Sequence, residues 1–140
     1  MKLLGISIVS WICGLLAYVT ALKIVWGKTI SPGDRNAVLG WTAIGAAIAV
    51  AVVFGPVMAG LHRWRGDRSG RAWLFPAVGT LLAPFPVGLI LAVWSPNVLR
   101  AFLTPEAGLF LWMFAVFGAV FGAGFSLAYR QWPSRSRANP

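Results

Sequence analysis

Few side chains in this sequence are of the His, Cys, Asp and Glu types that ligate metals or form acid–base pairs: His62, Cys13 and three acids, Asp34, Asp67 and Glu106. His62 and Asp67 share the stretch "HRWRGDRSGR", residues 62–71, where an imidazole and a carboxylate could act as a base and its orienter. Such a pair needs a nucleophile or second ligand beside it, and none is nearby. His62 is therefore expected to be a solvated histidine at a membrane surface. The embedded "RGD" matches an adhesion tripeptide, but three residues carry little information. Asp34 and Glu106 sit in loop sequences and read as helix caps. Cys13 allows no internal disulfide and is expected to pack as a small apolar residue. No phosphate-binding loop, metal-ligand cluster or catalytic triad is visible, so an enzyme is not expected, nor is a cofactor.

A different kind of chemistry is suggested by "LLAPFPVG", residues 81–88, where two prolines stand one residue apart in an apolar run. Proline gives no N–H to a helix, so Pro84 frees the carbonyl of Thr80 and Pro86 that of Leu82. In hydrocarbon such carbonyls must meet a hydroxyl, another backbone or water. Two readings follow. In one, Pro84 and Pro86 kink the third helix to fit its neighbours. In the other, Thr80, Leu82, Pro84 and Pro86 line a pore or cation path. The kink is the favoured reading, because prolines are common in spanning helices. Pro56, in "FGPVMAG", frees one more carbonyl, at Val52.

The elements that must position these residues follow from composition. The 140-residue chain is 59% hydrophobic and 11% charged, against about a quarter charged in a soluble domain. That points to a bilayer protein. Four apolar stretches, about 3–26, 37–61, 72–95 and 106–129, each have the roughly 20 residues a spanning helix needs. The first is too long for a signal peptide and lacks a clear cleavage site. The expectation is an all-α integral membrane protein, a four-transmembrane-helix bundle with short loops, both termini inside and a proline-kinked third helix. Residues 131–140 form a polar tail with the composition of a disordered segment.

Direction comes from the basic residues. With the N-terminus inside, Lys2, Arg63, Arg65, Arg68, Arg71, Arg130, Arg135 and Arg137 lie inside, and Lys23, Lys28, Arg35 and Arg100 outside. Eight against four satisfies the positive-inside rule. A re-entrant third segment would divide the charges six and six and lose the bias. Trp26, Trp41, Trp94 and Trp112 then form an outer belt, and Trp64, Trp73 and Trp132 an inner one. In a Cys13→Ser background, cysteines placed at Asn36 and Ser134 should show opposite accessibility to a membrane-impermeant maleimide. Equal labelling from outside would sink the four-span arrangement.

The net charge of +9 gathers at span ends, so the expected partner is anionic lipid and not nucleic acid. Arg63, Arg65, Arg68 and Arg71 are the expected headgroup contacts, with an acidic partner protein as the alternative. No Asp, Glu, His, Lys or Arg lies deep in any span, which argues against ion-coupled transport. Helix packing in lipid depends on small residues. Span two offers Ala43, Ala47, Ala51, Gly55 and Ala59 in a row four apart, and span four offers Gly118 and Gly122. Phe110, Phe114, Phe117 and Phe121 form another stripe, expected to face lipid, a partner or an apolar ligand such as a quinone or carotenoid.

Three functions fit this pattern. The first is a non-catalytic accessory subunit of a membrane complex, or a homo-oligomer. The second is a passive channel or small-solute transporter formed by oligomerisation. The third is a binder of an apolar ligand along the aromatic stripe. The expected location is a bacterial-type inner membrane or a plasma membrane.

Overall fold

A computed structural model describes residues 1–65 and 72–129, and every regular element among them is helical. They are α1 (Lys2–Trp26), α2 (Arg35–Ala49), α3 (Gly55–Arg65), α4 (Leu74–Leu81), α5 (Pro84–Trp94), α6 (Val98–Phe102) and α7 (Pro105–Tyr129). A single π-helical stretch, Val50–Phe54, joins α2 to α3. Four helical segments are long and apolar enough to cross a membrane: Lys2–Trp26, Arg35–Trp64, Leu74–Val93 and Pro105–Tyr129. The chain is thus a multi-pass membrane protein by length and composition. Arg68, Arg71 and the tail 131–140 lie outside the described residues, as do the side chains of Arg65 and Trp94.

Local chemistry sets the helix ends. Gly27 closes α1 in the left-handed region (φ 61°), donating its N–H to the Lys23 carbonyl at 3.0 Å. Glycine is suited to that position because it has no Cβ to clash. In "SPGD", Ser31 Oγ accepts the Asp34 N–H at 3.2 Å. In "TPEA", Thr104 Oγ1 accepts the Ala107 N–H at 3.4 Å. Thr104 caps α7, with Pro105 following it, whereas "SPGD" does not start a helix at Pro32. Ser31 closes a turn, and α2 begins only at Arg35, after an Asp34 that makes no side-chain capping bond.

α7 is the central helix. Of its most apolar stretch 44% is buried, against 11% for α1, and its principal neighbours are α1 and α4. Contact with α4 is backbone to backbone: a Cβ on Gly118 would overlap the Gly79 carbonyl, and one on Gly122 the Phe75 carbonyl. On the α1 side, a Cβ on Gly14 would come to 3.0 Å from the Met113 carbonyl oxygen. Glycine is needed at these positions because the helices touch through their main chains.

The phenylalanines do not face lipid. Phe114, Phe117 and Phe121 are fully buried, and Phe110 is half-buried. Phe54 of the π-helical stretch sits against Phe117 and Phe121, ring centroids 5.2 and 5.9 Å apart, and Phe75 of α4 lies 6.0 Å from Phe125. The physical reason is angular. At about 100° per residue, Phe114, Phe125 and Gly118 fall within about 40° of arc. Rings and glycines are therefore adjacent strips of one buried face, which a helix with neighbours on several sides can cover entirely.

The small-residue row of span two is also displaced from its expected place. Ala47 and Ala51 are exposed, and Ala43, Gly55 and Ala59 are half-buried. The buried positions are Thr42, Ala46, Ala49 and Val53, then Phe54 and Met58. That sequence slips by one residue at the π turn. A π turn holds one extra residue, so the buried face after it resumes one position late. Pro56 accounts for its location, since its ring would collide with the Val52 carbonyl in a regular helix. Gly55 donates to Val50 across the wide turn, and a Cβ there would lie 2.6 Å from the same carbonyl oxygen.

Candidate functional site: an apolar groove beside α2

Regular helix in the third span stops at Leu81 and resumes at Pro84. The freed carbonyls, however, need no outside partner. Thr80 C=O accepts the Ala83 N–H at 3.2 Å, and Leu82 C=O accepts the Phe85 N–H at 3.1 Å. Shifting to i→i+3 bonds satisfies both within the segment. Thr80 and Pro84 are exposed, Leu82 is half-buried and Pro86 alone is buried. These four residues therefore do not converge on an interior path within one chain. The Thr80 hydroxyl is itself engaged, donating to the Pro76 carbonyl at 3.0 Å.

What the break does border is a cavity of about 670 Å³. Its floor is Pro86 with Ala49 and Phe114, and its walls are α2, α5 and α7, with Tyr18 of α1. The volume falls within the range of small-molecule sites, roughly 300–1,000 Å³. Trp41, Ile44, Ile48 and Leu89 line it and are also about half exposed or more, so the cavity is a groove open to the side. It persists because α2 and α5 touch sparingly. Gly45, also on the lining, keeps the wall thin: a Cβ there would reach Ile90 Cδ1 only at 3.5 Å.

Three polar side chains interrupt the apolar lining. Thr42 is already occupied, since its hydroxyl donates to the Val38 carbonyl at 2.7 Å and accepts the Trp11 Nε1–H at 3.2 Å. That bond gives the indole N–H of Trp11, which lies away from both aromatic belts, a partner inside the bundle. Tyr18 lies against Phe110, centroids 5.5 Å apart, and its hydroxyl has no hydrogen-bond partner among the described residues. Asp34 stands at the mouth, where one carboxylate oxygen accepts the Ser31 hydroxyl at 2.7 Å. The other oxygen has no partner among the described residues.

Of the residues singled out from the sequence, Phe110, Phe114 and Pro86 meet in this groove. Phe117 and Phe121 belong to the core, and Gly118 and Gly122 to the α4 contact. Arg63 is exposed at the opposite end of the bundle, where His62 rests near Phe125 and Tyr129, ring centroids 6.3 and 5.9 Å away. Among the described residues, no three His, Cys, Asp or Glu side chains come together as metal ligands. Sequence reasoning missed Tyr18, Trp41 and Asp34 as groove residues. The available signal was Asp34 itself, an acid at a span end with no basic residue one helical turn later, but a cap accounted for it. Comparison with protein-family models, curated proteins and solved structures finds no match to this chain.

Proposed function

We propose that this chain works by binding: it is a non-catalytic membrane protein that holds an apolar, chain-shaped ligand in the groove between α2, α5 and α7. The observation that carries this reading is the groove itself, ligand-sized, apolar, laterally open and carrying two polar groups with unused hydrogen-bonding capacity. No organic cofactor or metal is required. The eight-to-four distribution of basic residues favours cytoplasmic termini, which puts Asp34 and the groove mouth on the outer side. On the inner side, Arg63, Arg65, Arg68 and Arg71 meet anionic headgroups, each contributing about 1 kcal/mol near the surface.

Photolabelling tests the reading. A long-chain fatty alcohol carrying a diazirine at its end, activated on the purified protein in mild detergent, should mark Ile48, Ile90 and Phe114 in preference to Leu4, Ile12 and Leu127. The latter three are equally apolar, and of them Leu4, Ile12 and Leu127 are all exposed on the bundle exterior. Uniform labelling of exposed apolar residues would overturn it.

A second reading, association with another membrane chain or with a second copy, is favoured by the exposure of Ala47 and Ala51 beside half-buried Ala43. Small residues on an exposed helix face permit close helix approach. The native mass in mild detergent, with co-purifying chains identified, tests it. Conduction through an oligomer is the competing account. Liposomes holding the purified protein should show no flux of ions or small solutes, before or after joint Pro84→Ala and Pro86→Ala substitution. Reproducible flux that disappears in the double variant would replace binding with conduction.

A further inference from the structure

The groove has a polar end, a depth and a charge, and together these specify more than an apolar occupant. We infer that it accepts one membrane glycerophospholipid whose headgroup ends in a primary ammonium, with that ammonium at Asp34 and an acyl chain along α2 and α5. The inference rests on the groove-binding function proposed above and names the ligand class of that site.

Depth comes first. Along α2 the groove runs from Asp34, just before the helix, to Ala49 at its end, which at 1.5 Å per residue is about 22 Å. Half a bilayer, headgroups included, is about 20–22 Å. A groove of this length ends at the midplane and takes a chain from a single leaflet. A membrane-spanning ligand would overrun its floor at Pro86 and Ala49, and a compact ring would leave much of its length empty.

Charge comes second. Asp34 is the only charged residue on the lining, it stands at the mouth, and one of its oxygens is free among the described residues. A carboxylate there repels an anionic headgroup and favours a cation that can donate hydrogen bonds. A primary ammonium does so, whereas a quaternary one cannot donate. Arg35, next in the chain and exposed, supplies a positive group for the phosphate of the same headgroup. Below the mouth, the unpartnered Tyr18 hydroxyl supplies a donor for an ester carbonyl. Its place on the wall, one polar group among apolar ones, matches the order of chemistries met on descending a phospholipid from headgroup to chain.

The test is competitive lipid retention by native mass spectrometry. The delipidated full-length protein is offered equal amounts of phosphatidylethanolamine, phosphatidylcholine and phosphatidylglycerol in mixed micelles. One phosphatidylethanolamine per chain should be retained about fivefold over either competitor, the scale of one exposed charged contact. Asp34→Asn keeps the shape and the Ser31 contact and should erase that preference while diazirine labelling of the groove continues. Gly45→Leu fills the groove and should remove the retained lipid of every class. Equal retention of the three lipids, with groove labelling intact, would overturn the headgroup assignment and leave groove binding standing. Retention of several lipids per chain, indifferent to both substitutions, means an annular shell only and overturns the assignment too. Loss of groove labelling in the unaltered protein would sink both.

Discussion

Leucine in place of Gly122 should eliminate the folded species, while leucine in place of Phe117 should only lower its melting temperature. Both positions are buried on α7, so burial alone does not separate them. What differs is the nearest atom. At Gly122 even a methyl group would overlap the Phe75 carbonyl and approach the Pro76 nitrogen to 2.7 Å. Those are main-chain atoms of α4, and they can yield only if the whole helix moves. Overpacking that side chains can absorb costs about 1–3 kcal/mol, and here they cannot absorb it. Removing part of the Phe117 ring instead leaves a small void beside Phe54 and Phe114, costing less than the roughly 3–5 kcal/mol of full truncation to alanine. Thermal unfolding in mild detergent, followed by size-exclusion chromatography, measures both. Alanine at Gly122 should fall between them. A Phe117→Leu variant less stable than Gly122→Leu would mean that the rings, and not the glycine contact, set the spacing of α4 and α7.

The same pair of residues marks how far the sequence could be read. Four apolar runs, the capping hydroxyl at Thr104, and the interruption before Pro84 were legible, because each depends on local chemistry. Helix length, a cap and a missing N–H are properties of a few consecutive residues. Which face of α7 meets protein was not legible. Helical spacing separates the small residues from the phenylalanines, as a packing side and a side left for lipid, a partner or a ligand, on the premise that a helix has one of each. A central helix has neighbours on several sides, and that is a property of the whole bundle. The freed carbonyls of Thr80 and Leu82 follow from the sequence, but their partners do not, since the N–H three residues ahead closes on each of them. The groove was the least visible feature. Its walls come from four separate segments, and an apolar residue facing a groove has the same type and spacing as one facing lipid. Asp34 was the exception, a charged residue on that lining, yet a carboxylate just before a helix reads as a cap, although its side chain makes no capping bond and accepts the Ser31 hydroxyl instead.

The slip in span two leads to the second large effect. Buried positions leading into the π turn follow the spacing of a regular helix, Thr42, Ala46 and Ala49, with Val53 inside the turn the last to keep it. Phe54 and Met58 then continue the pattern one residue late. Removing one exposed residue from the turn, Val52, would bring the present Phe54 and Met58 to the places where an uninterrupted helix expects its next buried side chains. The deletion should therefore be tolerated, converting the turn to α-helix and keeping Phe54 against Phe117. Removing one residue from α7, such as Val116, should be destructive. No extra residue is stored there, so everything on one side of the deletion rotates by about 100° relative to the other. Phe114 would lose its alignment with Phe117, and Gly118 and Gly122 could no longer face α4 together with Met113 facing α1. The two deletions remove the same residue type from comparably apolar helices, so composition and hydropathy predict equal outcomes. Phase predicts opposite ones. Yield of the monodisperse protein and its melting temperature in detergent decide between them. If ΔVal52 fails to fold while ΔVal116 survives, the extra residue in span two is not what reconciles its two buried faces, and Pro56 must hold the turn for a reason of its own.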